Sequence, residues 1–329
     1  MSRQELMAAL KRQAGQIDAA MRNDLQVVGD PLLREILNYV LFSGGKRLRP
    51  ILAVLAGRLC GRRDRDLERL ALAFEYLHVA TLLHDDIIDG SASRRGRPVV
   101  NLAWGPTHAI LAGDFLHTRS MFLVGSLGGP PCLEIYFRAT SAMVEGEFLQ
   151  MRNAENFNLS EEDYFQAVTG KTARLIGAVC ETGALFAGAA PGQRQALSGY
   201  GMALGSAFQI IDDLLDYQGD QAKTGKTKGN DFLEGKMTLP LIHTLSRAKT
   251  PERDYLLGLL QGPRHERQAS FEPARALIET HDGFGYARQR AEQLIASGLA
   301  ALEIFDSPKH AEDTALLAGL AGYVLSREK

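Results

Sequence analysis

The sequence predicts an all-α protein, because apolar residues recur at helical spacing along most of the chain while strand-like alternation is scarce. Leu67, Leu70, Ala71, Phe74 and Leu77 illustrate this spacing, which places them on one face of a helix. Clusters of glycine, proline and serine separate the periodic segments, at 29–31, 43–45, 91–98, 128–131, 191–192 and 219–235. The segments between these breaks have the lengths of helices.

The composition is that of a folded globular protein, with 45% hydrophobic and 23% charged residues among 329. A formal net charge of −2 gives no global attraction for nucleic acid or for an acidic membrane surface. Any site for a polyanion must therefore be a local cluster of basic residues, and we expect no nucleic-acid partner.

The three cysteines, Cys60, Cys132 and Cys180, lie far apart and form no CxxC pair, which argues against a disulfide framework or a zinc site. The N-terminal segment is interrupted by Arg, Gln, Lys and Asp and lacks the apolar core of a signal peptide. No run of about 18 apolar residues occurs, so no transmembrane segment is predicted. These features favour a cytoplasmic protein.

We expect one domain spanning residues 1–329. The only plausible linker, 247–273, contains Pro251, Gly262 and Pro263, but helical periodicity resumes after it without a change in composition. We interpret this segment as a surface loop within the domain.

A short motif, DDxxD, occurs twice in apolar helical stretches, in LLHDDIID and in FQIIDDLLD. Residues four apart lie on one helical face, so Asp85 and Asp89 can chelate one ion together, as can Asp212 and Asp216. Buried neighbouring carboxylates are costly without cations, and their hard oxygens suit Mg²⁺, which also binds substrate phosphates. The alternative is that each triplet caps a helix or faces solvent. Two triplets, each followed by basic residues, favour metal binding.

The segment GGKRLRP joins two glycines to three cations before an apolar helix, where free N–H groups and the helix dipole favour an anion. It predicts a phosphate-binding turn, and its alternative is a turn with solvated charges. The Walker A spacing of ATP-binding loops is absent. Arg94 and Arg95 follow the first triplet closely, and arginine forks pair with phosphate oxygens.

Further polar groups accompany the triplets. Lys171, Thr172, Lys226 and Lys236 supply them near the second triplet, although a single lysine is usually solvated. His78 precedes Asp85 by about two helical turns, where it either donates to a phosphate or is a satisfied core histidine.

In these motifs the sequence resembles the trans-isoprenyl diphosphate synthases, specifically their long-chain polyprenyl, octaprenyl-type branch. The likeness covers nearly the whole chain, and its motifs are GGKRLRP, HVATLLHDDIID, RRG, GDFL, KTA, FQIIDDLLDY and GKTKGNDFLEGKMTLPLI. The resemblance implies the isoprenoid synthase fold, an antiparallel helical bundle around a central cavity, with the triplets facing each other across its mouth. It also implies a homodimer.

By matching positions, the resemblance implies three sets of site residues. The residues implied to bind isopentenyl diphosphate are Lys46, Arg49, His78 and Arg95. Those implied to surround the allylic diphosphate are Arg94, Lys171, Thr172, Gln209, Lys226 and Lys236. Asp85, Asp89 and Asp212 are implied to contact two to three Mg²⁺ ions, with catalytic support from Asp86, Asp213, Asp216, Asp231 and Lys171.

The implied activity is condensation of isopentenyl diphosphate with farnesyl or geranylgeranyl diphosphate, giving a long all-trans, membrane-soluble product suited to a quinone side chain. Alternatives are a geranylgeranyl or other shorter-chain synthase, a class I terpene cyclase, and a subunit of a heteromeric synthase. A cyclase needs no second diphosphate site, and a regulatory subunit would lose the metal ligands.

Product length is expected to depend on residues upstream of the first triplet. The resembling short-chain synthases place bulky aromatic residues there, whereas this chain has Ala80 and Thr81. The product tail is expected to pass Leu77 and Phe74 and to end at Met121 or Phe122. The alternative is that the small residues only permit close helix packing.

Overall fold

The computed structural model describes residues 1–155, 160–219 and 228–327. The predicted all-α class is confirmed, since helices account for nearly all regular structure in these ranges. The chain begins with α1 (Arg3–Asp24), α2 (Pro31–Leu41), α3 (Leu48–Leu59) and α4 (Arg65–Ile88). A small antiparallel hairpin follows, made of β1 (Ser93–Arg94) and β2 (Arg97–Pro98).

The middle of the chain contains α5 (Val100–Ala103), α6 (Pro106–Glu155), α7 (Glu161–Val168), a π-helical turn (Thr169–Ala173), α8 (Arg174–Phe186) and α9 (Pro191–Gln218). The last part contains α10 (Asn230–Leu233), α11 (Leu239–Arg247), α12 (Thr250–Gln261), α13 (Arg264–Ala269), α14 (Phe271–Thr280), α15 (Gly283–Ala301) and α16 (Ala311–Leu325).

Several helix boundaries follow directly from capping residues. The Asp30 carboxylate accepts a hydrogen bond from the Leu33 amide at 2.8 Å, and Pro31 opens α2. Asp64 caps α4 in the same way, accepting from the Leu67 amide at 2.9 Å. These caps satisfy amides that have no partner within the helix.

One interpretation of the punctuation needs correction. The segment 247–273 is not a surface loop, because α12, α13 and the start of α14 occupy most of it. Pro251 lies in the first turn of α12 and Pro263 is the N-cap of α13, positions where a missing amide proton costs no helical hydrogen bond.

The predicted break at 128–131 is confirmed. Gly129, whose φ is 66°, interrupts the helical conformation within α6 and is followed by two prolines, so α6 is kinked there.

The helices fall into two compact units. The first unit comprises Met1–Phe137, Ala178–Leu197 and Phe305–Leu317, and the second comprises Arg138–Gly177, Ser198–Ile304 and Ala318–Lys329. The expectation of a single domain stays a prediction.

The core of the first unit is built on α1, α3 and α4, which pack against one another. Leu52, Leu55 and Leu70 are almost fully buried there. Arg47, which precedes α3, is buried as well and binds Asp18 at 2.7 Å and Glu75 at 2.8 Å. A buried charge is tolerated only with such partners, so Arg47 joins α1, α3 and α4.

The core of the second unit centres on aromatic side chains beside α9. Phe271 contacts both Tyr217 and Phe232, and the Tyr217 hydroxyl lies 3.0 Å from the Thr238 hydroxyl. Helix α11 packs against α15 in the same unit. This packing fixes the C-terminal half of α9, which carries the second triplet.

None of the helices in the described part of the chain combines the length and the apolar character needed to cross a membrane.

Candidate active site

The first aspartate triplet lies at the C-terminus of α4, in the first unit. Asp85 is partly buried, Asp86 is buried and Asp89, the C-cap residue, is exposed. The Asp89 amide donates to the Asp85 carbonyl at 2.8 Å, which holds the two residues one turn apart. The C-terminus of a helix carries a partial negative charge, so this end of α4 favours a cation.

Asp86 is bound by an arginine. The Arg94 guanidinium lies over its carboxylate, with Nε at 3.1 Å from both oxygens and Nη2 at 2.8 Å from Oδ1. Only 5% of Asp86 is exposed. The structure thus brings together Asp86 and Arg94, which were predicted for different tasks.

The hairpin after α4 carries Arg95 to the glycine pair, Gly44 and Gly45. Arg95 and Gly96 form its turn with φ values of 54° and 74°, the positive values that tight hairpin turns favour. The Arg95 guanidinium donates to the Gly44 carbonyl. A Cβ atom on Gly45 would lie 2.9 Å from an Arg47 nitrogen and 3.2 Å from an Arg95 nitrogen, so glycine leaves room for both arginines.

His78 faces this group of cations. Burial lowers its pKa well below the ordinary value, and Arg49, Arg95, Arg94 and Arg47 lower it further. Burial also lowers the pKa of Arg49 and of Arg95. The Arg49 Nε is buried without a hydrogen-bond partner. A partly buried group of cations with an unpaired donor is an environment that stabilises a bound anion.

The second triplet lies on α9, in the second unit. Asp212 is exposed and its Oδ1 lies 3.2 Å from Nη2 of Arg327, whose guanidinium stacks 4.3 Å from the centre of the Phe208 ring. Asp216 accepts from the Asp231 amide at 2.9 Å. The Asp231 carboxylate in turn binds Lys236 at 3.1 Å.

Asp213 is held by uncharged donors. The Tyr164 hydroxyl donates to its Oδ2 at 2.7 Å and the Gln209 amide donates to its Oδ1 at 2.9 Å. The Thr172 hydroxyl donates to Gln209 Oε1 at 3.2 Å. Burial, and then the charge of Asp231, raise the pKa of Asp213 to about 8 and that of Asp216 to about 6. These carboxylates lack sufficient positive charge around them.

Lys171 and Thr172 lie in the π-helical turn, a local distortion often found at functional sites. The turn packs backbone to backbone against α6, because Gly146 and Gly170 both lack the Cβ atoms that would separate them. The Lys171 ammonium binds Glu147 at 2.6 Å and Gln150 at 3.0 Å.

The positions expected to control product length lie on α4 and α6 of the first unit. Ala80, Leu77 and Phe74 are buried, and the Thr81 hydroxyl donates to the His78 carbonyl at 2.9 Å. Met121 is partly buried, whereas Phe122 is 55% exposed beneath the Arg119 guanidinium.

Three further lysines were predicted as diphosphate ligands, Lys46, Lys226 and Lys236. Lys46 is exposed in the glycine turn, and Lys226 lies outside the described residues. Lys236 was predicted as a diphosphate ligand and here binds Asp231 and Glu234, at 3.1 and 2.7 Å. Burial lowers its pKa, but these two carboxylates outweigh burial and raise it overall.

Four residues that contact the predicted site residues were not predicted from the sequence: Glu147, Gln150, Tyr164 and Arg327. Their contacts join residues distant in sequence, for instance 49 positions for Tyr164 and 115 for Arg327, so no local pattern indicates them. Arg47 was counted among the phosphate-facing cations but forms buried ion pairs instead. Glu75, a lone carboxylate within the apolar run of α4, was the available signal for such a partner.

Within the described ranges, no three His, Cys, Asp or Glu side chains converge as a preformed metal cluster. Mg²⁺ does not require one, because it is commonly held by one or two carboxylates together with substrate phosphates and water.

Comparison with known proteins identifies the class. The sequence profile of the polyprenyl synthetase family matches residues 30–278. The chain is 37% identical to octaprenyl diphosphate synthase of Escherichia coli K12 over 298 residues, 91% of each chain. It is 33% identical to a short chain isoprenyl diphosphate synthase of Methanothermobacter thermautotrophicus over 328 residues, 98% of this chain and 99% of that one.

A solved structure agrees with these sequence relatives. The crystal structure of a polyprenyl synthase from Caulobacter crescentus, complexed with calcium and isoprenyl diphosphate, superposes with a TM-score of 0.89 at 34% identity. The alignment covers 100% of this chain and 98% of that one. An isoprenoid synthase fold with two aspartate-rich helices defines a prenyltransferase. The chain belongs to the polyprenyl synthetase family, so the resemblance seen in its motifs is confirmed.

Proposed function

We propose that the chain extends an allylic diphosphate, farnesyl or geranylgeranyl diphosphate, with successive isopentenyl units to a long all-trans polyprenyl diphosphate of octaprenyl-like length. The observation that carries this proposal is the partly buried group of arginines around His78 together with two aspartate triplets. The allylic diphosphate needs metal ions to ionise, and isopentenyl diphosphate needs a separate group of cations to bind. A terpene cyclase has no second diphosphate substrate and so does not need this second group.

The residues assigned to isopentenyl diphosphate are Lys46, Arg49, His78 and Arg95. The unpaired Nε of Arg49 supports this assignment, because a phosphate oxygen would supply its missing acceptor. The depressed pKa of His78 means that it is neutral and donates a single N–H to the phosphate.

The residues assigned to the allylic diphosphate are Arg94, Lys171, Thr172, Gln209, Lys226 and Lys236. Lys171 and Lys236 are each paired with carboxylates in the structure, so we expect them to turn partly toward phosphate when the substrate arrives. The oxygens of Thr172 and Gln209 are assigned to the developing carbocation, which a carbonyl dipole stabilises without forming a bond.

Two to three Mg²⁺ ions are proposed as cofactors, held by Asp85, Asp89 and Asp212. The donors fit, since they are hard carboxylate oxygens on residues that are exposed (Asp89 and Asp212) or partly exposed (Asp85). The raised pKa values of Asp213 and Asp216 indicate that positive charge is needed near the second triplet. The related Caulobacter crescentus structure contains calcium, another divalent cation with oxygen ligands. The metal supplies charge neutralisation of the leaving diphosphate.

In the reaction, the bond between the allylic carbon and its diphosphate oxygen breaks, and the electron pair leaves with the diphosphate. The double-bond electrons of isopentenyl diphosphate form the new carbon–carbon bond. The resulting cation loses one proton to the departing diphosphate. The protein contributes positioning and electrostatic stabilisation, so no serine or histidine nucleophile is required.

A shorter product is the alternative, since one relative is named as a short-chain synthase. The long product is favoured by the small side chains of Ala80 and Thr81 and by the similarity to octaprenyl diphosphate synthase. A subunit of a heteromeric synthase is the other alternative, and the retention of all six triplet aspartates argues against a regulatory subunit.

We further propose a cytoplasmic homodimer. On the part of α6 in the first unit, Ile110 and Leu111 are exposed, at 45% and 58%. On the part in the second unit, Val144, Phe148 and Met151 are exposed at spacings that place them on one helical face. A second copy of the chain is the expected partner for these apolar residues.

The deciding experiment incubates the purified chain alone with Mg²⁺, labelled isopentenyl diphosphate and either farnesyl or geranylgeranyl diphosphate. Chromatography of the products against chain-length standards is expected to show a product near eight isoprene units, the length named for the octaprenyl relative. A product that stops at geranylgeranyl length would refute the long-chain proposal, and no turnover without a partner chain would favour a heteromeric enzyme.

A further inference from the structure

A chain of hydrogen bonds in the second unit links a buried tyrosine to the residues assigned to the allylic cation. Tyr164 donates to Asp213 at 2.7 Å, Gln209 donates to Asp213 at 2.9 Å, and Thr172 donates to Gln209 at 3.2 Å. Tyr164 is 6% exposed and Asp213 is 5% exposed. Water therefore competes little for these contacts.

The donor and acceptor roles along this chain fix the orientation of the Gln209 amide. The Asp213 Oδ1 accepts from the Gln209 NH₂ group, so this group is the side of Gln209 that faces Asp213. The carbonyl oxygen then points to the other side, where the Thr172 hydroxyl donates to it. The Asp213 carboxylate is fixed in turn by the Tyr164 hydroxyl on its second oxygen.

We propose that Tyr164 is a positioning residue for the condensation, which acts through Asp213 to keep the carbonyl oxygen of Gln209, rather than its NH₂ group, toward the developing allylic cation. The inference rests on the cation-facing role of Gln209 given under the proposed function. A carbonyl oxygen lowers the energy of the cation, whereas a flipped amide would present positive N–H dipoles and raise it.

Tyr164 can be separated from a purely structural role because the fold offers a matched tyrosine. Tyr286, on α15, donates to Glu161 at 2.6 Å and so anchors the same helix, α7. The Tyr286 hydroxyl binds Glu161 and its ring stacks on His243, so these contacts do not involve Asp213. Tyr164→Phe and Tyr286→Phe each remove one hydroxyl that holds α7, but only the first frees Asp213.

The experiment measures kcat and both KM values for the full chain and for Tyr164→Phe and Tyr286→Phe. Tyr164→Phe is expected to lower kcat about tenfold or more while the KM for isopentenyl diphosphate stays within about twofold. Tyr286→Phe is expected to keep kcat within about twofold. Unchanged kcat in Tyr164→Phe, or equal losses in the two variants, overturns the proposal.

A double-variant cycle tests whether the effect passes through Gln209. In a Gln209→Met background the amide is absent, so adding Tyr164→Phe should change kcat by less than about twofold. A full tenfold loss in that background overturns the proposal. If Gln209→Met alone keeps the wild-type kcat, Gln209 does not stabilise the cation and the proposal is overturned. Failure of the proposed function is a different result, in which the unmodified chain makes no prenyl product.

Asp213→Leu provides a second variant if Tyr164→Phe folds poorly, which a thermal melt would show. It removes both oxygens that accept from Tyr164 and Gln209, so the Gln209 amide loses the acceptor that fixes its orientation. The proposal requires a kcat at least as low as that of Tyr164→Phe, and a kcat near wild type would overturn it.

Discussion

The central carboxylates of the two triplets are balanced by different partners. Asp86 is neutralised by the charged fork of Arg94, whereas Asp213 receives hydrogen bonds from the uncharged groups of Tyr164 and Gln209. Burial without a full counter-charge explains the raised pKa of Asp213. Asp212, the exposed first residue of the second triplet, is the one proposed to bind a metal ion.

The metal-binding role predicts the effect of removing single carboxylates. We expect Asp85→Ala and Asp212→Ala each to lower kcat at least about a hundredfold, because a cation at the leaving group supplies charge stabilisation of that order. Both side chains are at least partly exposed, so folding should change little. Steady-state kinetics with and without a chelator, together with thermal melts, measure both effects. A folded variant with wild-type turnover would exclude the two-triplet mechanism.

The ion pair between Arg327 and Asp212 is expected to weaken Mg²⁺ binding. This contact places a guanidinium where a metal ion would compete, so Arg327→Gln should lower the Mg²⁺ concentration needed for half-maximal thermal stabilisation. Asp212 is 49% exposed at its side chain, so the contact is worth under about 1 kcal/mol and the shift is at most about fivefold.

The matched control is Arg288→Gln, which removes a donor to the Leu325 carbonyl at 3.2 Å near the same helix end. It should leave the Mg²⁺ midpoint unchanged. A higher Mg²⁺ requirement in Arg327→Gln would mean that Arg327 assists metal binding instead of opposing it.

At the scale of elements, α4 carries both the aspartates that are proposed to bind metal and the residues that are proposed to control product length. Asp85 and Asp89 occupy its C-terminal end, and Ala80, Leu77 and Phe74 lie buried along the preceding turns. Small side chains in this stretch leave space, and packed interiors do not absorb an added ring without cost.

We therefore expect Ala80→Phe or Thr81→Phe to shorten the product to roughly farnesyl or geranylgeranyl length, because the ring overfills a packed site. Product chromatography measures the change. Arg69→Phe is the control, since it adds a ring to α4 at a side chain that is 50% exposed and should leave the length unaltered. An active Ala80→Phe enzyme that still makes the full-length chain would place the tail elsewhere.

At the scale of the whole molecule, the exposed apolar residues of α6 predict the oligomeric state. Stable interfaces bury about 1,200–2,000 Å² in total, and aromatic residues at their centre contribute most of the affinity. Phe148, at 57% exposure, is a large apolar side chain exposed on this helix.

Phe148→Glu is expected to convert a dimer to a monomer, because a buried unpaired charge opposes association. Light scattering coupled to size-exclusion chromatography measures the mass. Tyr255→Glu, at an aromatic residue that is 41% exposed on α12, should remain dimeric. A wild-type monomer, or a dimer that survives Phe148→Glu, would contradict the proposed interface.

The sequence by itself determined the helical class, the family and the two triplets, because each depends on patterns read over a few turns of one helix. Helical periodicity and capping residues such as Asp30 and Asp64 fix local conformation without help from the rest of the fold. Prolines were less decisive, since the same residue can end a helix or open one, and the segment 247–273 was misjudged for that reason.

Only the tertiary structure decided which partner each charged side chain binds. Arg47 forms ion pairs with Asp18 and Glu75, and Arg94 binds Asp86. In the sequence both arginines lie in short basic motifs, so nothing distinguishes them there from the arginines that are expected to bind phosphate. Tyr164 reaches α9 from α7, and Arg327 reaches it from the segment after α16. Such contacts, and the burial that shifts the pKa of His78 and Asp213, arise from how helices pack, and packing is not encoded in the spacing of any single segment.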